Sequence, residues 1–163
     1  MNLSCENYKK AILTKFTKNQ ENSKMKIDLD NIKKFFSDDR FAKSAGIVIE
    51  SITEDFVQCN MQIKDIHRNA VDGVHGGAIF TLADFTFAIH CNLNNLSGLG
   101  LGNTVAQSCN ISYLKSTKGN CLIAKSKCLN KGRNMSVYQV SITDDLGKQI
   151  ATMIANGFTI AKK

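Results

Sequence analysis

At the centre of the chain stands the run His75-Gly-Gly-Ala-Ile-Phe-Thr-Leu-Ala-Asp-Phe-Thr-Phe-Ala-Ile-His-Cys-Asn92. Residues 78 to 92 of this run are apolar almost all the way round a helical wheel, which is typical of a buried helix. A helix can bury every face only when another layer wraps around it. The run therefore predicts one long central helix enclosed by the rest of the domain.

On both sides of the run, apolar and polar residues alternate as they do in half-buried β-strands. Two strands are predicted before the helix and four after it: residues 47–52, 56–63, 104–114, 120–130, 135–143 and 148–160. A start signal at Asp28 or Asp30 predicts one short helix that ends before Gly46. This order predicts an α+β fold in which an antiparallel β-sheet wraps around one long central helix.

The net charge of +7 suggests nucleic acid, an anionic membrane or an anionic small molecule as partner, and the sign alone does not choose among them. Eighteen of the 21 basic residues are lysines, which indicates a coding bias, because arginine is the residue that phosphate and base readers favour. The longest apolar stretch is shorter than the ~20 residues that a membrane crossing needs. We therefore expect neither a nucleic-acid partner nor a membrane partner.

The six cysteines form no C-x-x-C pair and do not lie near histidines at zinc-finger spacing, so no metal site is expected. Most of them lie in apolar runs, where a free cysteine acts as a small core residue. The N-terminal residues show no apolar signal-peptide core. These features predict a cytoplasmic protein that needs neither a metal nor another cofactor.

Residues 1–27 carry many lysines and scattered apolar residues with the spacing of a weak amphipathic helix. Three interpretations of this N-terminal extension stay open: a poorly packed segment, a helix that contacts another subunit, and an arm that contacts nucleic acid or membrane. Residues 28–163 are the predicted domain.

Asp84 is the only formally charged residue between Val74 and Lys115, apart from the titratable His75 and His90. An isolated buried carboxylate is costly unless it has a partner, a raised pKa or a polar cleft. The alternative is an aspartate that faces solvent or caps a helix. The apolar neighbours favour a carboxylate in a cleft, with its pKa raised above the reference value of ~3.9.

His75-Gly76-Gly77 stands where the chain enters the helix, so its first N–H groups are unpaired and lie at the positive end of the helix dipole. Without Cβ atoms, the glycines let a substrate carbonyl approach these donors closely. The alternative is that the glycines only allow a tight turn, and His75 is interpreted as a local hydrogen-bonding residue rather than a base.

Asp84 follows Gly77 by seven residues, which places it ~10 Å along the helix axis. One subunit cannot easily bring both residues to one carbonyl. Two antiparallel copies of the helix could do so, and this predicts a site at a twofold dimer interface.

The central run resembles the helix motif of hotdog-fold acyl-CoA thioesterases of the PaaI-like, phenylacetate-degradation type. Later segments are similar to that family in the same order: Thr104-Val-Ala-Gln-Ser-Cys-Asn-Ile-Ser-Tyr-Leu, Gly119-Asn-Cys-Leu-Ile-Ala, Ser136-Val-Tyr-Gln-Val, Asp145-Leu-Gly-Lys and Ile150-Ala. The resemblance covers about residues 30 to 160. It implies a hotdog fold and an enzyme that hydrolyses the thioester of a small or medium acyl-CoA, aryl groups included, to free acid and CoA.

The resemblance also implies roles for single residues. The family's nucleophile or general base falls on Asp84, and the glycine whose N–H binds the thioester oxygen falls on Gly76. An asparagine that helps to place the thioester or water falls on Asn69, six residues before His75. Some relatives have serine or threonine after the strand valine, and that substrate-side position is Ala106 here.

Further substrate contacts are expected around these residues. Candidates beside the acyl group are Gly77, Phe80, Phe87, Ile89 and the loop 94–103. Candidates for the anionic nucleotide of CoA are the basic residues Lys115, Lys131 and Arg133. His90 lies ~120° around the helix from Asp84, so a dyad of these two residues is not expected.

Two other functions remain possible on the same fold. A noncatalytic acyl-CoA binding or sensing module would leave the N-terminal extension to contact DNA or a partner, although about 27 residues are too few for a helix-turn-helix domain. A hotdog dehydratase or hydratase needs a histidine with an acidic partner, and the Gly-Gly-x6-Asp spacing fits that poorly.

The expected assembly is a homodimer that pairs into a dimer of dimers.

Overall fold

The computed structural model describes residues 29–93 and 103–160. Two short helices, α1 (Leu29–Ser37) and α2 (Arg40–Ser44), precede the strands β1 (Ile47–Ile52) and β2 (Val57–Gln62). The long helix α3 (Gly76–Leu93) comes next, followed by β3 (Thr104–Tyr113), β4 (Cys121–Lys131), β5 (Met135–Asp144) and β6 (Gln149–Thr159). The extension 1–27 and most of the loop 94–103 lie outside the described residues. Within the described ranges, no helix is long and apolar enough to span a bilayer.

The single helix predicted to end before Gly46 is wrong, because the chain forms two helices there. Asp39 has an extended backbone, and its carboxylate accepts a hydrogen bond of 2.9 Å from the Ala42 N–H. A side chain that satisfies a free N–H of the first turn starts a new helix. The two helices still pack on the core, where the Phe36 ring meets the Phe85 ring of α3 at 6.0 Å.

All six strands form one antiparallel sheet in the order β1-β2-β4-β5-β6-β3. Helix α3 links β2 to β3 and so carries the chain to the opposite edge of the sheet. It lies against β2, β3, β4, β5 and β6. The predicted α+β hotdog fold, a sheet wrapped around one central helix, is confirmed.

The core lies between α3 and the concave face of the sheet. Leu82, Phe87 and Ile89 of the helix are almost inaccessible to solvent, and the Phe87 ring meets the Tyr138 ring at 5.5 Å. Burying each such side chain contributes ~1.5–3 kcal/mol. Phe87 and Ile89 are therefore core residues, so the expectation that they line an acyl pocket is wrong for the described structure.

One face of α3 is not covered by the sheet. Gly77 is exposed, and Phe80, Thr81, Asp84 and Ala88 are half-buried. These five residues are called the open face of α3. The prediction of a helix buried on every side is wrong along this face, because the sheet reaches around the helix only from β2 to β3.

Strand β3 forms an edge of the sheet and, among the described strands, pairs with β6 alone. It is ten residues long and mostly exposed, with Val105 45% and Tyr113 52% accessible. Natural proteins pair or cover a long edge that presents free backbone groups and apolar side chains. The open face of α3 and the β3 edge are thus two incompletely covered surfaces of the chain.

Candidate active site

His75 satisfies most of the free N–H groups at the start of α3. The Gly77 N–H donates to His75 Nδ1 at 2.8 Å. The N–H groups of the next two residues donate to the His75 carbonyl at 3.0 and 3.2 Å. The Gly76 N–H donates to no acceptor among the described residues. It is therefore the donor left for a ligand at the positive end of the helix.

Neither Gly76 nor Gly77 has a positive φ, so backbone conformation does not require glycine at these positions. Crowding by neighbouring side chains explains them instead. A Cβ atom on Gly76 would lie 3.3 Å from the Tyr113 ring, and one on Gly77 would lie 3.0 Å from His75 Nδ1. His75 acts as the local hydrogen-bonding residue that the sequence predicts. Because its ring occupies the Gly77 N–H, only Gly76 offers the candidate oxyanion donor.

Asn69 lies in the loop that leads to the turn. Its Oδ1 atom accepts hydrogen bonds of 3.1 and 3.0 Å from the N–H groups of Val71 and Gly73, which hold the side chain in place. Its Nδ2 group has no acceptor among the described residues. Asn69 and Gly76 line one cavity of about 460 Å³, which is called the Gly76 cavity. The structure thus brings these two predicted residues together.

Tyr113, at the end of β3, also lines the Gly76 cavity. Its hydroxyl donates a hydrogen bond of 3.1 Å to the Gly76 carbonyl, and its ring packs against the Gly76 backbone. The sequence reasoning missed this residue as a part of the site. The pattern of β3 predicts that Tyr113 lies in a strand. It does not predict a contact with a turn 37 positions earlier in the chain.

Asp84 is half-buried on the open face of α3, and its carboxylate makes no hydrogen bond or ion pair with any described residue. Burial raises the pKa of its carboxyl, and the nearby Asp39 carboxylate raises it further. The Asp84 charge in turn contributes to the raised pKa values of the Cys91 and Cys109 thiols, after burial as the main cause. Asp84 therefore lies on α3 near the start of α2 and near β3. Its raised pKa is what a candidate general base requires.

Within one chain, Asp84 and Gly76 do not share a site. They are eight residues apart on one helix, a rise of ~12 Å, and Asp84 does not line the Gly76 cavity. The structure therefore holds two incomplete halves: a free N–H with Asn69 at the helix start, and an unpartnered carboxylate farther along.

His90 points away from both halves. It is fully buried, its Nδ1 atom lies 2.8 Å from the Ser126 hydroxyl, and its ring meets that of Tyr138 at 4.9 Å. Burial lowers the pKa of the imidazole, against smaller raising contributions from Glu54 and Asp55. This polar cluster belongs to the core, so no dyad of His90 with Asp84 exists in the chain.

Two other predicted substrate residues, Phe80 and Ala106, do not line the Gly76 cavity. Phe80 is on the open face of α3, one turn before Asp84. Ala106 is exposed on β3 opposite Gly157, where a Cβ atom would meet Phe87, so Ala106 faces the helix side of the sheet. Ala106 lies seven residues, ~23 Å along the strand, from the residue that contacts Gly76.

Lys131, the last residue of β4, lies in the same cross-strand row of the sheet as Ala106, and Arg133 lies in the turn that follows. Burial lowers the pKa of Lys131, and Cys128 raises it by a smaller amount. The structure does not bring these two residues to Gly76 within one chain. Lys115, by contrast, lines the Gly76 cavity.

Comparison with known proteins identifies the family of the chain. The family model of the thioesterase superfamily matches residues 73–151, which include α3 and the turn at its start. Acyl-coenzyme A thioesterase PaaI of Escherichia coli K12 is 31% identical over 122 residues, 74% of this chain and 83% of that protein. The chain belongs to the PaaI-like acyl-CoA thioesterases. It is accordingly a thioester hydrolase.

Solved structures of related thioesterases have the same architecture. The structure of E. coli PaaI matches with a TM-score of 0.73 and 29% identity, over 83% of this chain and 94% of that one. A thioesterase from Streptococcus pneumoniae, solved with coenzyme A, matches with a TM-score of 0.66 and 26% identity, over 80% and 98% of the two chains. For this PaaI-like thioesterase, the shared fold covers α3 and the whole sheet.

Proposed function

We propose that this PaaI-like thioesterase cleaves the thioester of a small or medium acyl-CoA at a site shared by two chains. The Gly76 N–H of one chain binds the thioester oxygen. Asp84 of a second chain either takes a proton from a water that attacks the carbonyl carbon, or attacks that carbon itself to form an anhydride that water then hydrolyses. In both cases the C–S bond breaks and the CoA thiolate leaves. The observation that carries the proposal is the pair of unpartnered groups on one helix, a free N–H at its start and a free carboxylate two turns later.

The helix geometry supports a twofold arrangement. Residue 80 is midway between 76 and 84, so a twofold axis crossing α3 near Phe80 would bring Asp84 of each chain to Gly76 of the other. Phe80 and Ala88 on the open face of α3 offer the apolar surface for such a contact. The exposed edge strand β3 offers free backbone groups for pairing with its own copy. We propose a homodimer of this kind, pairing further into a dimer of dimers.

The residues of the shared site divide the chemistry among them. The Gly76 N–H stabilises the negative charge that develops on the carbonyl oxygen. The Asn69 Nδ2 group, on the same cavity, donates to the substrate or to water. A raised pKa makes Asp84 a stronger base or nucleophile than an exposed aspartate. The CoA thiolate leaves without much acid help, so this scheme uses no metal or other cofactor.

Charge favours the Gly76 cavity as the place where the coenzyme arm enters. Lys115 lines it, and the Lys148 ammonium donates to the backbone carbonyl of Ser116 beside it at 2.8 Å. Antiparallel pairing of two β3 strands would also bring Ala106, Lys131 and Arg133 of the second chain toward this end of the sheet. The coenzyme A bound to the S. pneumoniae relative supports CoA as the carrier recognised.

The test is an assay of thioester cleavage over a panel of acyl-CoAs with wild type and Asp84→Asn. Removing a positioned base or nucleophile costs about 10²–10⁴-fold in rate, so the variant should be nearly inactive. Asp38→Asn is the matched control, since it removes an exposed carboxylate that does not contribute to the raised pKa of Asp84, and it should stay within about threefold of wild type. A noncatalytic acyl-CoA binding module is the alternative, and equal rates for wild type and Asp84→Asn on every thioester would favour it.

A further inference from the structure

A small hairpin loop forms one wall of the Gly76 cavity. The two sides of the hairpin meet where Arg68 pairs with Val74 in an antiparallel bridge. The segment 69–73 between them is called the Asn69 loop, and both of its end residues, Asn69 and Gly73, line the cavity. A change in the shape of this loop would therefore move groups that the proposed site uses.

The Asn69 loop contains a backbone conformation that usually requires glycine. The Asp72 N–H donates to the Asn69 carbonyl at 2.9 Å, which closes a four-residue turn, and Asp72 itself has a φ of 62°. A three-residue hairpin tip commonly ends in this left-handed region, which glycine enters without strain. Among the described residues, Asp72 is the only one other than glycine with a positive φ. Aspartate tolerates this region better than most residues, but it stays there only where its surroundings hold it.

Arg68 supplies the contacts that hold Asp72. Its Nη1 group donates a hydrogen bond of 2.8 Å to the Asp72 backbone carbonyl, and its Nε atom lies 3.7 Å from the Asp72 carboxylate. The carboxylate of Asp65 lies slightly farther away, at 4.0 Å from the same Nε atom. Because a guanidinium has several donors in one plane, it can bind the backbone and the side chain of one residue at the same time.

The conformation of Asp72 in turn fixes the side chain of Asn69. The Asn69 Oδ1 atom accepts hydrogen bonds from the Val71 and Gly73 N–H groups, which lie on the two sides of Asp72. Rotation about the φ angle of Asp72 would turn the Gly73 N–H away from this oxygen. The Asn69 amide would then lose one of its two anchors, and its Nδ2 group would no longer be held in place.

We propose that Arg68 is a positioning residue for thioester cleavage, which holds Asp72 in its left-handed conformation and thereby holds Asn69 in the Gly76 cavity. This rests on the proposed function, in which the Asn69 Nδ2 group donates to the substrate or to water. Arg68 does not line the cavity, so it acts through Asn69 rather than by touching the reacting atoms. Misplacing a group by about 1 Å at a reacting centre can cost about 10²-fold in rate, so loss of this clamp should lower kcat.

The test measures kcat and KM of Arg68→Met with acetyl-CoA, hexanoyl-CoA and phenylacetyl-CoA. Methionine keeps an apolar stem of similar length and removes every donor. On the best of the three substrates kcat should fall about tenfold, while KM stays within about twofold. Arg40→Met is the matched control, because it makes the same change at an exposed arginine whose side chain makes no hydrogen bond or ion pair with a described residue. It should leave kcat within about twofold of wild type.

Two double variants separate positioning from a general loss of structure. Asn69→Ser keeps an oxygen that can accept from the loop but removes the Nδ2 donor. In that background Arg68→Met should lower kcat by less than about twofold, because both changes act through the same amide. Glycine at position 72 needs no clamp to keep a positive φ. In an Asp72→Gly background, Arg68→Met should therefore also lower kcat by less than about twofold.

Asp72→Val covers the case in which Arg68→Met does not fold. A β-branched residue disfavours a positive φ, so this exposed substitution should lower kcat about tenfold although Arg68 is present. The assignment would be overturned, with the thioesterase intact, if Arg68→Met or Asp72→Val kept wild-type kcat, or if Arg68→Met cost the same tenfold in either double variant. A wild type that cleaves none of the three substrates, or an Asn69→Ser variant as active as wild type, would instead overturn the proposed function or its use of Asn69, and the assignment with it.

Discussion

Mixing two inactive variants should restore activity if Asp84 and Gly76 of different chains form one site. Asp84→Asn removes the carboxylate, and Gly76→Pro removes the one N–H at the start of α3 that has no acceptor among the described residues. Proline suits the first position of a helix, because its missing N–H belongs to a group that has no intrahelical partner. Its Cβ atom would lie 3.3 Å from the Tyr113 ring, so that ring must shift by a few tenths of an ångström. Each homodimer then lacks one group at both sites.

The expected recovery follows from counting sites. Random mixing of equal amounts makes about half of the dimers mixed, and each mixed dimer has one intact site of two, so activity should reach about one quarter of wild type. Each variant alone should be lower by about 10²-fold or more, as for loss of an oxyanion donor or a base. The assay is release of free CoA thiol after co-expression of the two variants with different tags. The whole mixture should show about one quarter of the wild-type rate, and the isolated mixed dimers about one half.

A control variant separates true sharing from partial repair. Asp84→Asn mixed with the double variant Asp84→Asn/Gly76→Pro contains no intact site in any dimer and should show no recovery. If the first mixture also stayed at the level of its separate homodimers, although mixed dimers were isolated, the site would lie within one chain. The ~12 Å helical separation of the two residues would then have to be bridged by another residue.

The remaining predictions concern single residues of the site and the core. Tyr113→Phe removes the hydrogen bond to the Gly76 carbonyl but keeps the ring, so kcat should fall about fivefold with little change in KM, and an unchanged kcat would exclude a positioning role. The pKa of Asp84 in the folded state is raised above its ordinary value of 3.8, so the free energy of unfolding should fall as the pH rises from 3.8 through the folded-state pKa. Asp84→Asn, measured by urea unfolding, should lose this slope and be more stable at pH 7. Because the pKa of His90 is lowered, wild type should lose stability as the pH falls below 6.5, and a His90→Gln variant that kept the same slope would contradict this.

The fold could be predicted largely from periodicity. Alternation with period two places all six strands within one residue of their observed bounds at both ends, because one face of each strand is buried and the other is not. The wholly apolar run places α3, and glycine turns separate the last four strands. The split of the first helix was missed, since an aspartate such as Asp39 signals a helix start only if the preceding helix has ended, and sequence does not show where it ends.

The candidate site could be predicted only in part. Asn69 and Gly76 are found together because a short loop connects them, and local spacing is readable in a sequence. Tyr113 reaches the same cavity through the pairing of β3 with β6 at the far edge of the sheet, a long-range contact that no local pattern encodes. Lys131 and Arg133 are candidates for the coenzyme contact on the basis of their charge alone. Charge does not show which end of a strand lies near the turn at Gly76.

The open face of α3 explains both the wrong prediction and the proposed chemistry. A helical wheel counts apolar residues but does not show what covers them, so Phe80 and Ala88 look like core residues although no described element buries them fully. The same apolar surroundings raise the pKa of Asp84 without giving it a partner. A second copy of the helix across a twofold axis near Phe80 would cover the apolar residues and supply the missing half of each site at once. Replacing Phe80 with glutamate should therefore abolish dimers and activity together in a sedimentation and thiol-release experiment, because a charge would be buried against its own copy. A Phe80→Glu monomer with wild-type activity would refute the shared site.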